Sequence, residues 1–307
     1  MIELIPWAAF IIFIIAALWL DLAILHTKDT EIPIHLALKM AAFWIILALL
    51  FDVGIYFVYG PEKALMFLAG FLVEKSLSLD NLFVFILIFT YFQVPAKYQL
   101  KALFLGILGA IIMRLTFILA GIALISKFHW MIYVFGVLLI YTGAKLSVAG
   151  DIKVHPEKNL ALRLFKRIMP TVSYFHGSDF FVKIDGRWAA TPLLVTVIMI
   201  ETSDVIFAVD SIPAIMAITL DPFIIYTSNI FAILGLRALF FALSGLMRMF
   251  HYLNYGLSLI LVSLGLKMTF SGFIHVPVLL SLGFIATTLL TCVLLSLRYP
   301  KEKEGGP

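Results

Sequence analysis

Charged residues and cysteine are scarce in this sequence. Only 13% of its 307 residues are charged, whereas 63% are hydrophobic and the mean hydropathy is +1.09. Because a soluble domain carries about 25% charged residues, the composition excludes an ordinary soluble globular protein. The single cysteine, Cys292, excludes an internal disulfide and argues against a metal site built from thiolates.

Long apolar runs indicate the fold class. Nine runs are about 20 residues long or longer, which is the length that crosses a hydrocarbon core of about 30 Å. They cover residues 5–25, 38–60, 64–92, 101–125, 129–149, 191–219, 223–248, 251–271 and 276–298. We therefore predict an all-α, polytopic membrane helix bundle with about nine transmembrane helices, forming a single integral membrane domain over residues 1–307. The first run has no basic region before it and carries Asp21, so we interpret it as a retained helix rather than a cleaved signal.

Basic residues are distributed unevenly between the two predicted sides of the membrane. One side holds only Lys63, Lys127 and Lys267, whereas the other holds sixteen Lys and Arg residues, many of them in the polar stretch 150–190. The positive-inside rule predicts that this stretch is a basic cytoplasmic loop of a multi-pass protein in the cell inner (plasma) membrane. The N-terminus is then outside and the C-terminus cytoplasmic. Within the loop, Leu160 to Ile168 fits either a short amphipathic helix on the membrane surface or a solvated linker.

The sequence contains an internal repeat. Polar and glycine residues recur at nearly constant offsets: His129, Tyr133, Gly143 and Lys145 match His251, Tyr255, Gly265 and Lys267 at 122, Arg114 matches Arg237 at 123, and Asp80 matches Asp204 at 124. The first repeat, 64–149, contains helices 3–5, and the second, 191–272, contains helices 6–8. Because each repeat has three helices, the second copy enters the membrane from the opposite side. Inverted repeats of this kind are typical of secondary transporters, whose sites lie near the midplane.

Carboxylates interrupt the leading helix of each repeat. Five lie near the middle of runs 64–92 and 191–219: Glu74, Asp80, Glu201, Asp204 and Asp210. At bilayer depth each ionised side chain costs on the order of 3 kcal/mol, so these residues indicate a functional site. Further oxygen ligands come from Asn81, from the hydroxyls of Ser76, Ser203 and Ser211, and from a backbone carbonyl that Pro213 would free by breaking the helix. An oxygen-only set suits a hard divalent cation such as Mg²⁺, Ca²⁺ or Mn²⁺, with no organic cofactor.

An alternative interpretation of these charges is a set of buried salt bridges. Lys75, Arg114 and Arg237 lie at comparable depth, and the two arginines are expected to pair with carboxylates of their own or the opposite repeat. Lys75 is expected to pair with a nearby acid. Five acids against three bases leave two negative charges, which one divalent ion or two protons would balance. Asp21 and Asp52 either join the site or lie in wet pockets.

The two carboxylate motifs resemble the TerC family of integral membrane proteins, most closely its Alx-type members. The motifs are Glu74-Lys-Ser-Leu-Ser-Leu-Asp80-Asn81-Leu-Phe and Glu201-Thr-Ser-Asp204-Val-Ile-Phe-Ala-Val-Asp210-Ser-Ile-Pro213-Ala, followed by Thr227-Ser-Asn-Ile-Phe-Ala-Ile-Leu-Gly-Leu-Arg237. This resemblance implies export of manganese from the cytoplasm, with the motif acids and Asn81 as the metal site. The family takes its name from tellurium resistance, which describes a phenotype rather than a mechanism.

Two other functions stay open on the sequence alone. One is a resistance carrier for tellurite or an organic solute, and the other is a non-transporting scaffold for protein insertion or metal loading that docks through its basic loop. The sequence has no phosphate-binding loop, Gly-x-Ser-x-Gly or His-Glu-x-x-His motif, so we predict no enzyme activity. The predicted partners are the lipid bilayer and a divalent metal ion, with no nucleic acid, and homo-oligomerisation is left open.

Overall fold

The computed structural model describes residues 4–25, 34–148, 159–184, 186–243, 252–274 and 276–299. This part of the chain is mostly helical and has one small hairpin. The elements are α1 (Leu4–Leu25), α2 (Ile34–Tyr59), α3 (Pro61–Tyr91), α4 (Ala96–Lys127), α5 (Met131–Val148), α6 (Leu160–Ile168), β1 (Phe181–Ile184), β2 (Arg187–Ala190), α7 (Pro192–Met216), α8 (Pro222–Ile233), α9 (Leu236–Leu243), α10 (Leu253–Thr269) and α11 (Val278–Arg298).

Several of these helices are long and apolar enough to cross a membrane. By length and composition, five segments of the described chain qualify: α2, α4, α7, α11 and the unit formed by α8 and α9. Three shorter apolar helices lie within α1, α5 and α10. Helix α3 has 31 residues and is thus about as long as α4, but it carries charged residues at its middle. The chain is therefore a polytopic helical membrane protein.

The starts of α3 and α8 are fixed by local sequence and by one ion pair. Each begins with a proline, Pro61 or Pro222, at a position where the missing N–H costs nothing. Asp221 caps α8 by accepting hydrogen bonds from the backbone N–H groups of Phe223 and Ile224, at 3.0 and 3.3 Å. The Lys63 ammonium lies 2.6 Å from the Asp221 carboxylate, so the two helices start side by side.

The predicted run 223–248 is divided into two helices. Between α8 and α9, Gly235 adopts a φ of +79°, a region that other residues rarely occupy. A Cβ atom on Gly235 would lie only 2.6 Å from Cδ1 of Trp44, so the close approach of α2 also requires glycine. The end of the predicted run, 244–248, lies outside the described residues.

Helix α7, in contrast, is not interrupted where the sequence suggested. The helix continues through Pro213 to Met216, and the Ala217 N–H donates to the Pro213 carbonyl at 2.9 Å. Proline removes one backbone hydrogen bond, and here the loss falls in the last turn of the helix, where few bonds follow. The expected break at Pro213 was wrong, and the observed break lies between α8 and α9.

The helices pack in pairs: α3 lies against α8, α4 against α7, and α5 against α10. Glycines allow the α5–α10 backbones to touch. A Cβ on Gly136 would lie 2.9 Å from the Gly265 carbonyl oxygen, and one on Gly265 would lie 2.7 Å from that of Gly136. At the other end of the same contact, the Ser258 hydroxyl donates to the Gly143 carbonyl at 2.6 Å. Small residues at a helix interface permit this close packing within a membrane.

The described part of the loop 150–190 is folded against the helix bundle. Residues Leu160–Ile168 form α6, as one of the two interpretations predicted, and its Leu162 side chain is buried. Strands β1 and β2 form an antiparallel hairpin that the sequence analysis missed. The Lys101 ammonium donates to the Ser178 carbonyl at 2.6 Å, which ties the segment before the hairpin to the start of α4. The described residues of this loop therefore form folded structure rather than a solvated linker.

Candidate functional site

A buried cluster of polar side chains lies where four helices meet. At its centre is Arg114 of α4, which is 1% exposed. Its Nη1 atom donates hydrogen bonds to Oε1 of Glu74 in α3 and to Oδ1 of Asn229 in α8. Its Nη2 atom lies 3.6 Å from Oδ1 of Asp204 in α7. The cluster therefore joins both leading helices of the predicted repeats through one guanidinium group.

Asn229 belongs to this cluster, although the sequence analysis did not select it. Its side chain is fully buried and its Nδ2 donates to Oε2 of Glu74 at 3.4 Å, so the amide bridges acid and base. A signal was present in the sequence, because Thr227, Ser228 and Asn229 are three consecutive polar residues within an apolar run. The two hydroxyls donate to carbonyls of their own helix, which leaves Asn229 as the member that reaches outward.

Some polar atoms of the cluster keep unused hydrogen-bonding capacity. Within the described part of the chain, Oδ2 of Asp204 and Nε of Arg114 are buried and have no hydrogen-bond partner. Leaving a buried donor or acceptor unpaired costs about 1–3 kcal/mol, so such groups are retained where they serve a purpose. This unpaired oxygen of Asp204 lies on α7 and is available to a polar or cationic ligand.

A small cavity opens beside the cluster. Its volume is about 10 Å³, close to the space that holds one water molecule. Its lining combines polar side chains with the residues on both sides of the helix break: Ser78, Asn81, Arg114, Asp204, Ile233 and Leu236. The break between α8 and α9 therefore lies at the buried charges. In transporters, half-helix ends and unwound backbone carbonyls at such breaks bind ions.

Lys75 stabilises the interrupted end of α8. Its ammonium group donates to the Ala232 carbonyl at 3.1 Å. The last carbonyls of a helix have no N–H partner within that helix, and a cation is favourable at its C-terminus. The break frees this carbonyl beside α3, and the expected pairing of Lys75 with a nearby acid stays a prediction, since the side chain of Asp80 lies outside the described part of the chain.

Glu201 lies apart from Arg114, at the contact of α7 with α4. Its carboxylate rests against Gly109, so closely that a Cβ atom at that position would overlap both carboxylate oxygens. Glu201 precedes Asp204 by about one helical turn. The absence of a side chain at Gly109, another residue that the sequence analysis missed, creates the space for the Glu201 carboxylate.

The remaining predicted side chains that the structure describes have other surroundings. The hydroxyls of Ser76 and Ser203 donate to carbonyls one turn earlier, at 2.6 and 2.8 Å. Arg237 is buried, with its guanidinium 5.2 Å from the ring centre of Phe104. Asn81 is buried and lines the cavity.

Two motif acids, Asp80 and Asp210, belong to α3 and α7, but their side chains lie outside the part of the chain that the structure describes. The same holds for Asp21. Oδ1 of Asp52 is buried and has no hydrogen-bond partner among the described residues.

The described side chains form an ion-pair cluster rather than an assembled metal site. Among the residues that the structure covers, no three His, Cys, Asp or Glu side chains converge on a common point. The predicted pairing of Arg114 is confirmed, since it contacts Glu74 of the first predicted repeat and Asp204 of the second. Two carboxylates against one guanidinium leave this cluster with one excess negative charge when all three groups are ionised.

Comparisons with known proteins give the family. Residues 59–304 match the profile of the integral membrane protein TerC family. An uncharacterized membrane protein of Myxococcus xanthus is 48% identical over 291 residues, covering 95% of this chain and 91% of the relative. Two relatives carry the name "Putative membrane-bound redox modulator Alx". That of Salmonella typhi is 42% identical over 91% of this chain and 89% of its own, and that of Escherichia coli (strain K12) is 40% identical over 98% and 97%.

No solved structure matches the chain significantly. The family assignment therefore rests on sequence, and it agrees with the two carboxylate motifs and the helical membrane fold. The chain belongs to the integral membrane protein TerC family.

Proposed function

We propose that the protein exports a divalent metal cation, Mn²⁺ in particular, from the cytoplasm in exchange for protons. The observation that carries this proposal is the pair of buried carboxylates, Glu74 and Asp204, held around Arg114 next to a broken helix. Ionisable residues at membrane depth are expensive and mark ion pathways. Mn²⁺ as the cargo and the outward direction follow from the family resemblance, while the oxygen ligands themselves favour a hard cation.

We further propose two inverted three-helix repeats within a bundle of about nine transmembrane helices. The packing supports this, because exchanging the repeats turns the α3–α8 contact into the α7–α4 contact. At the offset of 122, Gly136 corresponds to Ser258 and Gly143 to Gly265. The contact of Gly136 with Gly265 then corresponds to that of Ser258 with Gly143, as a two-fold axis between the repeats requires.

In the proposed orientation the protein lies in the inner membrane of the cell. Its N-terminus is outside, and the loop 150–190 is in the cytoplasm. Three contacts support a common outer end: Lys63 with Asp221, Gly121 with Met216, and Gly136 with Thr269. By these contacts, the helix ends that carry Lys63, Lys127 and Lys267 lie on one side of the bundle. The described part of the basic loop packs at the opposite side, near the starts of α4 and α7. This asymmetry is the one that the positive-inside rule describes.

In this proposal Arg114 acts as a tethered cation that competes with the cargo. Its guanidinium occupies the space between Glu74 and Asp204, which is the space that an ion bound to both carboxylates would need. Movement of Arg114 away from Asp204 would expose oxygen ligands to the metal. The motif acids Asp80, Glu201 and Asp210 and the amide of Asn81 complete the proposed ligand set.

The name of the Alx relatives refers to redox modulation. Manganese is a redox-active transition metal, so a carrier that sets its cytoplasmic concentration alters redox balance without a redox group of its own. The sequence fits this role better than direct thiol chemistry, since its only cysteine, Cys292, is buried. This connection supports a metal carrier as the function of the present chain.

A carrier of tellurite or another oxyanion is the weaker alternative. Anion sites gather arginine, lysine and helix N-termini. Here the single guanidinium of Arg114 faces two carboxylates, which would repel an anion.

A scaffold function would use the exposed basic residues Arg163, Lys166 and Arg167 of α6.

Transport in liposomes tests these functions together. The purified protein is reconstituted, and uptake of Mn²⁺, Mg²⁺, Ca²⁺ and tellurite is measured with an internal pH dye to follow protons. We expect Asp204→Asn to slow Mn²⁺ movement by about tenfold or more, the effect of at least about 1.4 kcal/mol. The control is Asp179→Asn, since Asp179 is an exposed acid outside the bundle.

Two results would contradict the proposal. One is equal Mn²⁺ transport by the wild type and Asp204→Asn, and the other is tellurite movement that exceeds Mn²⁺ movement. Replacing Arg163, Lys166 and Arg167 with glutamine should leave transport in liposomes unchanged. If those replacements abolish the cellular function but not transport, the scaffold alternative gains support.

A further inference from the structure

A second cavity lies on the outside of the bundle, far in sequence from the carboxylate motifs. It has a volume of about 370 Å³ and is formed by the end of α10, the following turn and the start of α11. This volume is within the range of about 300–1,000 Å³ that is typical of small-molecule sites. Of the five long apolar segments, α11 is the least buried, so this side of the bundle faces the lipid.

Among the described residues that line this mostly apolar groove, Lys267 is the one cation. The Lys267 ammonium donates to the hydroxyl of Ser281 at 3.1 Å and is partly buried. Among the residues that the structure describes, no carboxylate forms an ion pair with Lys267. The groove is flanked by exposed apolar side chains, including Phe270, Ile274 and Leu280. A positive charge is therefore presented next to a channel that suits a hydrocarbon chain.

We infer that this groove binds one anionic phospholipid, with its phosphate on Lys267 and an acyl chain along Ile274 and Leu280. A basic side chain near a membrane surface attracts anionic headgroups by about 1 kcal/mol, and an amphiphile with one negative charge matches both parts of the groove. The position of Lys267 in the last turn of α10 places the ammonium near headgroup depth. Because Gly136 and Thr269 are in contact, this end of α10 lies beside the start of α5, on the side that the proposed orientation assigns to the outer leaflet.

Lipid binding is measured directly and does not depend on transport. The full-length protein is exchanged into mixed micelles with phosphatidylglycerol and phosphatidylcholine at equal mole fraction, and the bound lipids are counted by native mass spectrometry. We expect the wild type to retain phosphatidylglycerol preferentially, and Lys267→Gln to lose about fivefold in affinity, the contribution of one basic residue near an anionic lipid surface. Lys267→Arg should retain the lipid.

Lys127→Gln is the matched control, since Lys127 is an exposed lysine at the end of α4 on the same side of the bundle. Thermal stability of each variant in detergent shows that the protein remains folded. The inference is overturned if the wild type shows no preference for phosphatidylglycerol, or if Lys127→Gln weakens binding as much as Lys267→Gln. Preferential retention of oleate over phosphatidylglycerol would also overturn it. None of these outcomes bears on metal transport, so the two proposals fail independently.

Discussion

Replacing Arg114 with methionine removes the positive charge at the centre of the buried cluster while keeping a long, unbranched side chain. At 3.6 Å, the Nη2 atom of Arg114 and Oδ1 of Asp204 attract each other by about 5 kcal/mol at an effective dielectric constant of about 20. Desolvation offsets much of this attraction, yet breaking a buried pair by removing one partner typically costs about 3–5 kcal/mol. We therefore expect Arg114→Met to lower the free energy of unfolding by about 3–5 kcal/mol.

The companion variants separate charge from packing. Adding Glu74→Gln or Asp204→Asn to Arg114→Met should recover part of the lost free energy, because one of the two unpaired negative charges disappears. The measurement is the free energy of unfolding, obtained by titration with SDS in mixed micelles. Arg298→Met is the control, since Arg298 is exposed at the end of α11. Effects of the single variants that add within about 0.5 kcal/mol would refute the coupling that the contacts indicate.

The same variant tests the competition between Arg114 and the cargo. With the guanidinium removed, a divalent cation can bind between Glu74 and Asp204 without displacing it. Mn²⁺ at about 100 times its dissociation constant would stabilise the folded state by about 2.7 kcal/mol. We expect this stabilisation at lower Mn²⁺ concentrations in Arg114→Met than in the wild type. An unchanged Mn²⁺ dependence would refute a tethered cation at this position.

Three further substitutions test single features of the structure. Gly109→Ala places a Cβ atom where the Glu201 carboxylate lies, so Mn²⁺ transport in liposomes should fall by about tenfold (about 1.4 kcal/mol), whereas Gly54→Ala, which has open space, should change it little. Gly235→Ala should cost at least about 1–2 kcal/mol of unfolding free energy in the SDS titration, because its φ is left-handed; an unchanged value would show that the break tolerates a side chain. Asp221→Ala should lower the free energy of unfolding by at least about 1 kcal/mol, because it removes both the α8 cap and the ion pair with Lys63, and an unchanged value would contradict these roles.

The apolar runs and the motif spacing predicted the main helices and the membrane class. An amphipathic helix was one of the two interpretations of residues 160–168, and the structure forms that helix at the same bounds. The hairpin was missed although the sequence carried a signal, because Asp185-Gly186 between two short β-prone segments is a common turn. A four-residue strand is too short to stand out against long apolar runs.

The site was predictable in composition but not in contacts. Buried acids and arginines in apolar helices identified Glu74, Asp204 and Arg114, since their depth alone makes them costly. Asn229 and Gly109 were missed because an asparagine or glycine in a helix acquires its role only from the neighbour it faces. Proline was overrated as a helix breaker at Pro213, whereas the break occurs at Gly235, where the left-handed φ and the contact with Trp44 both act.

In the proposed transport cycle, the contact of α5 with α10 would limit which parts of the protein move. If one proposed repeat rotates against the other, atoms near the rotation axis are displaced least. Backbones that touch through Gly136 and Gly265 have no flexible side chains between them to absorb a displacement. This contact therefore suits a pivot. The opening and closing of an ion pathway would then be concentrated at the distant ends of α3, α4, α7 and α8, where side chains rather than backbones separate the helices.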